Sequence, residues 1–170
     1  MSWVLDVRDL SEPGGARELR RRAPVEGLST ELASVSTSLP VSAELLLESL
    51  VGGILASGAI TGSMSCRCAR CVKEFTKPFR VEVSELFVSA SSAATRDGDE
   101  YPIAEGSIDL EPMIRDAVVL SMPFSPLCKP ECLGICERCG GDRNLGACSC
   151  PPLTDPRWAV LETLDLVDQD

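Results

Sequence analysis

Histidine is absent from all 170 residues. That removes Ser-His-Asp triads, Cys-His pairs, imidazole acid–base chemistry and His-ligated zinc in one step. Any metal site in this chain is built from thiolates and carboxylates. Aromatic residues are few, with four Phe, two Trp and one Tyr, too sparse for a platform that stacks bare bases. Positive charge is the minority sign. Sixteen basic residues face 26 acidic ones, for a formal net charge of −10, and such a chain repels phosphate on average. No apolar run approaches the ~18 residues of a membrane span. The start, Met1 to Asp9, has neither a basic n-region nor an apolar h-region, which predicts a soluble, cytoplasmic chain. What remains is ordinary globular material, 44% hydrophobic and 25% charged, enough for one domain with a real core and a small appendage.

Cysteine is the residue in excess. Nine are present, an odd number that fits poorly with complete internal pairing, and a reducing compartment favours metal or redox use over disulfides. They fall into two clusters, Cys66-Arg67-Cys68-Ala69-Arg70-Cys71 and a denser run from Cys128 to Cys150. Zinc takes four ligands in a tetrahedron, and a C-x2-C turn delivers two thiolates to one side of it. Cys136-Glu137-Arg138-Cys139-Gly140-Gly141 reads as such a knuckle, its glycines supplying the positive φ the turn needs. Cys148 and Cys150 then return the other two ligands of a first site. Cys68, Cys71, Cys128 and Cys132 form a possible second site, with Cys128/Cys132/Cys136/Cys139 as a rival quartet. Cys66 is left over and reads as a small buried apolar residue. The expectation is one or two structural zinc ions, because four protein ligands leave no open position for a reacting water. An iron–sulfur cluster uses the same ligands, but its usual spacings are not matched.

The fold class reads as α+β, an antiparallel meander or small sheet packed by one or two helices, with a cysteine-rich, zinc-stapled C-terminal segment. An α+β domain spans 1–125, with a basic stretch at 17–22, strands over about 41–87 and a helix over about 110–122. The cysteine segment spans 126–152, and a C-terminal helix with an acidic tail spans 153–170. Val41, Ala43, Leu45 and Leu47 alternate with polar neighbours at the period of a strand. So do Phe79, Val81 and Val83. Residues 24–40 read as irregular or as an edge strand, and Ser89 to Glu100 as a loop. Asp109 reads as the N-cap of a helix with Pro112 in its first turn, and Pro123 ends it.

Charge is unevenly spread. Arg67, Arg70, Lys73, Lys77 and Arg80 face only Glu74 within residues 66–80, whereas residues 97–111 hold six acids and no base. The five cations are candidate RNA- or partner-binding residues. Alternatively, Arg67 and Arg70 stabilise sulfur charge beside the knuckle, and Lys73, Lys77 and Arg80 are an ordinary solvated face.

These motifs resemble a known family. Cys68-Ala69-Arg70-Cys71 followed by Phe75 and Pro78-Phe79 is similar to the C-x-R-C signature of the YceD-like large ribosomal RNA subunit accumulation proteins. Asp109 to Pro123, then Leu127-Cys128 to Cys139-Gly140, resembles the family's second signature, and Asp155-Pro156-Arg157-Trp158-Ala159 its usual close. Cys66 is an extra cysteine, and Glu137 stands where the family usually has proline. The resemblance implies a bacterial, non-enzymatic factor for synthesis, processing or accumulation of large-subunit (23S) ribosomal RNA. Its partners would be that RNA or its precursor, and/or a basic large-subunit ribosomal protein, with no membrane and no small-molecule substrate. An acidic chain suits a basic client. The rival readings are a zinc-stabilised interaction module without RNA contact and a thiol redox protein using Cys68 and Cys71. The redox reading needs a helix N-terminus at the first thiol, and the residues after Cys71 read as turn and strand. A metal-assisted hydrolase needs clustered carboxylates, and the acid-rich run reads as a solvated loop.

Overall fold

Period-two alternation of apolar and polar side chains drives most of this chain into one sheet. The computed structural model describes residues 3–89, 101–146, 148–151 and 157. The strands are β1 (Val4–Asp6), β2 (Ala16–Ala23), β3 (Ala33–Ser34), β4 (Val41–Leu50), β5 (Gly53–Arg67), β6 (Glu74–Ser89), β7 (Tyr101–Ala104) and β8 (Ser107–Asp109). They pair in the order β1-β8-β7-β6-β5-β4-β2, with β3 added against β5. Every pairing is antiparallel except β6 with β7. The sheet curls into a half-barrel.

One face of that curl is the core. β4 turns Val41, Ala43, Leu45 and Leu47 inward, none more than 4% exposed. β5 adds Ile54, Ala56, Ile60, Met64 and Cys66, and β6 adds Phe87. Gly58 sits mid-strand at φ +145°, and a Cβ there would collide with the Glu44 carbonyl oxygen, so the close approach of β4 at this point requires glycine. The single α-helix among the described residues, α1 (Glu111–Ser121), lays Met113, Ile114 and Val118 on the core. Trp3, Leu5, Val7 and Leu10 pack beside it. Burying each of the larger side chains contributes about 1.5–3 kcal/mol.

The architecture corrects the expected fold class. The meander expected over 41–87 is present as β4-β5-β6, but it is the middle of an eight-stranded sheet. The molecule is mostly sheet with one helix rather than a small meander packed by one or two. The basic stretch at 17–22 is part of strand β2. Its half-buried positions are Arg17, Leu19 and Arg21, and arginine stems there take the place of apolar side chains. Arg17 is held by Asp9 at 2.8 Å and by the Asp6 carbonyl at 2.9 Å. Strand β6 starts before Pro78, which fits because β7 pairs only with 87–89 and leaves β6 an open edge at the proline. The residue flanking α1 is Leu110, while the Asp109 carboxylate accepts from the Glu111 N–H at 3.0 Å. The C-terminal helix expected over 153–170 and the loop expected over 89–100 lie, but for Arg157 and Ser89, outside the described residues. No helix among those residues is long and apolar enough to cross a membrane.

Candidate metal centres

The long β5–β6 hairpin ends in the first cysteine knuckle. Val72 N–H donates to the Cys68 carbonyl at 2.9 Å and Cys68 N–H to the Lys73 carbonyl at 2.9 Å, closing the turn. Ala69 N–H donates to the Pro126 carbonyl at 2.8 Å, which brings the segment after α1 against the hairpin tip. The same turn recurs at the second knuckle, where Gly140 N–H donates to the Cys136 carbonyl at 2.8 Å.

Two groups of four thiols result. Cys68, Cys71, Cys128 and Cys132 form one and Cys136, Cys139, Cys148 and Cys150 the other, with the sulfurs of each group within 4.8 Å of one another. Four sulfurs about 2.3 Å from a common ion lie roughly 3.8 Å apart at tetrahedral angles. The observed separations are 3.8 Å for Cys68–Cys132, 3.6 Å for Cys71–Cys128 and 3.5 Å for Cys139–Cys148. Both groups fit structural metal binding. The rival quartet of Cys128/Cys132/Cys136/Cys139 is not assembled. Cys66 is 1% exposed, paired across the sheet with Phe75 and Ala33, away from both groups.

Backbone donors favour thiolate in each site. Burial pushes the Cys68 thiol up, but backbone N–H donors from the Cys128, Cys71 and Arg70 positions outweigh it and bring Cys68 down to about 6. The Cys139 N–H, with Cys148 and the Arg138 N–H, brings Cys136 down to about 6. Burial and neighbouring thiols push Cys128 and Cys150 up to about 12, with neighbouring thiols leading at Cys150. Against its burial, hydrogen bonds from the Gly134 position and Asn144 also lower Cys132, so each group combines sulfurs drawn toward the thiolate with others pushed toward keeping their protons. A metal completes such a site by displacing the remaining protons.

The five candidate cations do not share one surface. Arg70 Nη1 donates to the Cys132 carbonyl at 2.9 Å and so braces the first group. Lys73 pairs with Asp142 at 2.6 Å, reaching from the first knuckle to the second. Arg80 pairs with Glu82 on its own strand at 2.8 Å. Arg67 lies at the end of β5 opposite Glu74, and Lys77 sits on the other face of the sheet, opposite the buried Met64. Asp142 and Asn144 were not among the sequence candidates. Asp142 accepts from Asn144 N–H at 2.8 Å and opens a short 3-10 turn, Arg143–Leu145. Asn144 donates to Cys132 Sγ at 3.5 Å and accepts from Leu133 N–H at 2.9 Å. An Asp-x-Asn pattern between Cys139 and Cys148 was the available signal, a side-chain cap that fixes the loop.

The family model and a named relative point to one family. The family model described as large ribosomal RNA subunit accumulation protein YceD matches residues 56–165, which include all nine cysteines. An uncharacterized protein of Mycobacterium leprae is 29% identical over 163 residues, covering 93% of this chain and 75% of that protein. An uncharacterized protein of Mycobacterium tuberculosis is 33% identical over 137 residues, 79% of this chain and 66% of the other. A chloroplastic protein of Zea mays, named a large ribosomal RNA subunit accumulation protein YCED homolog, is 34% identical over 73 residues, 37% of this chain and 25% of its own. No solved structure matches. With the cysteine groups, the order of the motifs and the matched span in agreement, the chain belongs to the YceD family of large ribosomal RNA subunit accumulation proteins.

Proposed function

We propose that this chain is a non-enzymatic ribosome-biogenesis factor of the cytoplasm. It supports accumulation of large-subunit (23S) ribosomal RNA as a scaffold stapled by two structural zinc ions. The family match over residues 56–165 carries the reading. The chemistry of the donor set supports the scaffold role. Two four-thiolate groups suit zinc, and a fully ligated zinc offers no open position for catalysis. Cys68 and Cys71 lie in a turn between strands, with no helix N-terminus behind them, which favours a metal clip over thiol exchange.

The contact to the ribosome runs through a basic large-subunit ribosomal protein, directly to the RNA, or both. The charge of −10 favours the protein route, because Coulomb attraction steers a basic client to an acidic surface. Of the five candidate cations, Arg70, Lys73 and Arg80 already hold internal partners, leaving Arg67 and Lys77 as the better candidates for phosphate.

The test is depletion of the protein in cells, with 23S RNA measured against small-subunit RNA. The expected result is a lower ratio, restored by the wild-type chain and not by Cys68→Ser/Cys71→Ser. An unchanged ratio overturns the reading. Crosslinking in cells separates the routes. Recovered large-subunit RNA that falls in Arg67→Glu/Lys77→Glu supports direct contact, and recovery of a ribosomal protein without RNA supports the other.

A further inference from the structure

The two thiol groups are joined by a specific set of contacts. The loop between Cys139 and Cys148 belongs in sequence to the second group, yet its side chains reach the first. Asn144 sits at the centre. Its amide nitrogen donates to Cys132 Sγ at 3.5 Å and to Asp142 Oδ1 at 2.8 Å, and its oxygen accepts from Leu133 N–H at 2.9 Å. Asp142 in turn reaches Lys73 at 2.6 Å, two residues beyond Cys71. Backbone bonds reinforce the contact, with Arg143 N–H donating to the Gly134 carbonyl at 3.0 Å and Ile135 N–H to the Arg70 carbonyl at 3.2 Å. Asn144 thus presents a donor to a sulfur of one site from a turn whose ends are tied down by the other.

We infer that Asn144 is a positioning residue that couples the two metal sites, so that metal in the Cys136/Cys139/Cys148/Cys150 group tightens binding in the Cys68/Cys71/Cys128/Cys132 group. The inference rests on the four-thiolate reading above. A metal that clamps Cys139 to Cys148 shortens the free loop to eight residues and restricts where Asn144 can go. An ordered Asn144 then offers its N–H to Cys132, offsetting part of the negative charge that four thiolates place on one ion. Linkage makes the coupling mutual, so metal in the first group tightens the second by the same factor.

Cobalt(II) titration of the reduced, chelator-stripped full chain tests this, because thiolate-to-cobalt charge-transfer bands count ligands and report on each sulfur. Wild-type protein is expected to take up two equivalents with positive cooperativity. Cys148→Ser/Cys150→Ser is expected to weaken the remaining site about ten- to hundred-fold, the usual scale for an outer-shell partner. Asn144→Ala is expected to weaken it similarly and to make the two sites fill independently. Added to Asn144→Ala, the serine pair costs the first site little more. The charge-transfer band of the first site also moves to lower energy in Asn144→Ala, because a thiolate that loses a hydrogen-bond donor gives up electron density more readily. Leu145→Ala, on the same turn at a residue 71% exposed, leaves band and affinity unchanged. Additive effects in the double variant, or an Asn144→Ala protein with wild-type affinity and band position, overturn the coupling. Absence of any thiolate–cobalt band in wild-type protein overturns the metal reading itself.

Discussion

The two cysteine knuckles share one turn and differ in everything around it. In each, the N–H four residues after the first cysteine closes onto that cysteine's carbonyl, and the residue making the bond has positive φ, +62° at Val72 and +69° at Gly140. The first knuckle draws its other two sulfurs from far along the chain. Cys71 meets Cys128 across 57 residues and Cys68 meets Cys132 across 64. The second is local, with Cys139 meeting Cys148 only nine residues on. In the first group Cys68, Cys71 and Cys132 are buried and Cys128 is exposed; in the second only Cys136 is buried, with Cys139 exposed and Cys148 and Cys150 half-buried. A clip that closes a long loop removes more freedom from the unfolded chain than one closing a short loop. A metal held by the first group would therefore staple the sheet to the cysteine segment, and one held by the second would order its own loop.

The largest expected effect breaks the staple. Structural zinc with thiolate ligands carries on the order of 10 kcal/mol of binding free energy coupled to folding. Cys68→Ser is expected to remove one metal per chain and lower the melting temperature steeply. Cys148→Ser also removes one metal but leaves the sheet melting within about 10 °C of wild type, the shift expected when coupling takes roughly 1.4–2.7 kcal/mol from the first site in a chain this size. Elemental analysis with calorimetry checks both, and equal losses would erase the distinction between staple and local clip.

Acid sharpens the comparison next. Metal binds thiolate, so protons compete with it, and affinity falls as pH falls. The metal-free chain offers Cys68 and Cys136 as thiolates down to about 6. Metal capture by both sites is expected to slow as pH drops through that value. Once metal is bound the thiolates resist protonation further, so release begins at lower pH, and the open site empties before the buried one. A chromogenic chelator followed in stopped flow separates the two phases, and simultaneous release would contradict the difference in burial.

Exchanging the turn residues is a smaller test. An L-residue in the left-handed region costs roughly 1–2 kcal/mol, and a Cβ at Gly140 meets nothing within 4 Å. Gly140→Val is therefore expected to weaken the second site by about that amount through backbone strain alone. Val72→Gly relieves the same strain at the first knuckle, reduced by about 0.5–1 kcal/mol of glycine entropy, so a slight gain in stability is expected by urea titration. A loss in Val72→Gly would mean that the half-exposed valine side chain contributes more than its backbone costs. Lys73→Met is of similar size. Lys73 is 54% exposed but Asp142 only 16%, and the buried Asp142 Oδ2 has no hydrogen-bond partner besides this ion pair. The substitution leaves that oxygen unsatisfied, so the drop in melting temperature is expected to persist at high salt.

Much of this was legible from residue order, for identifiable reasons. β4 was visible because Val41, Ala43, Leu45 and Leu47 point into a core while their neighbours do not. α1 was visible because Met113, Ile114 and Val118 recur at helical spacing after an acidic start. β2 was hidden by its arginines, whose stems occupy half-buried sheet positions without reading as apolar. The parallel contact of β6 with β7 had no local signature, because Phe87 and Tyr101 are brought together by topology rather than by a turn. The five candidate cations are not gathered on one side for a similar reason. Strand alternation sends Arg67 and Lys77 to opposite sides, and the nearest acids draw in Lys73 and Arg80.

Residue order alone determined the donor chemistry. With no histidine and nine cysteines, the donors on offer are thiolates and carboxylates, and the C-x2-C spacing sets two thiolates side by side through one turn. Which pairs complete each site was decided only by the tertiary structure. The sheet carries Cys68 and Cys71 to the end of a long hairpin, and the chain after α1 returns Cys128 and Cys132 to the same point. The asymmetry between staple and clip belongs to that level too, since loop length and burial are properties of the folded path. So does the reach of Asn144 from one knuckle to the sulfur of the other, because no spacing rule places a side chain on a thiol twelve residues away across a second turn.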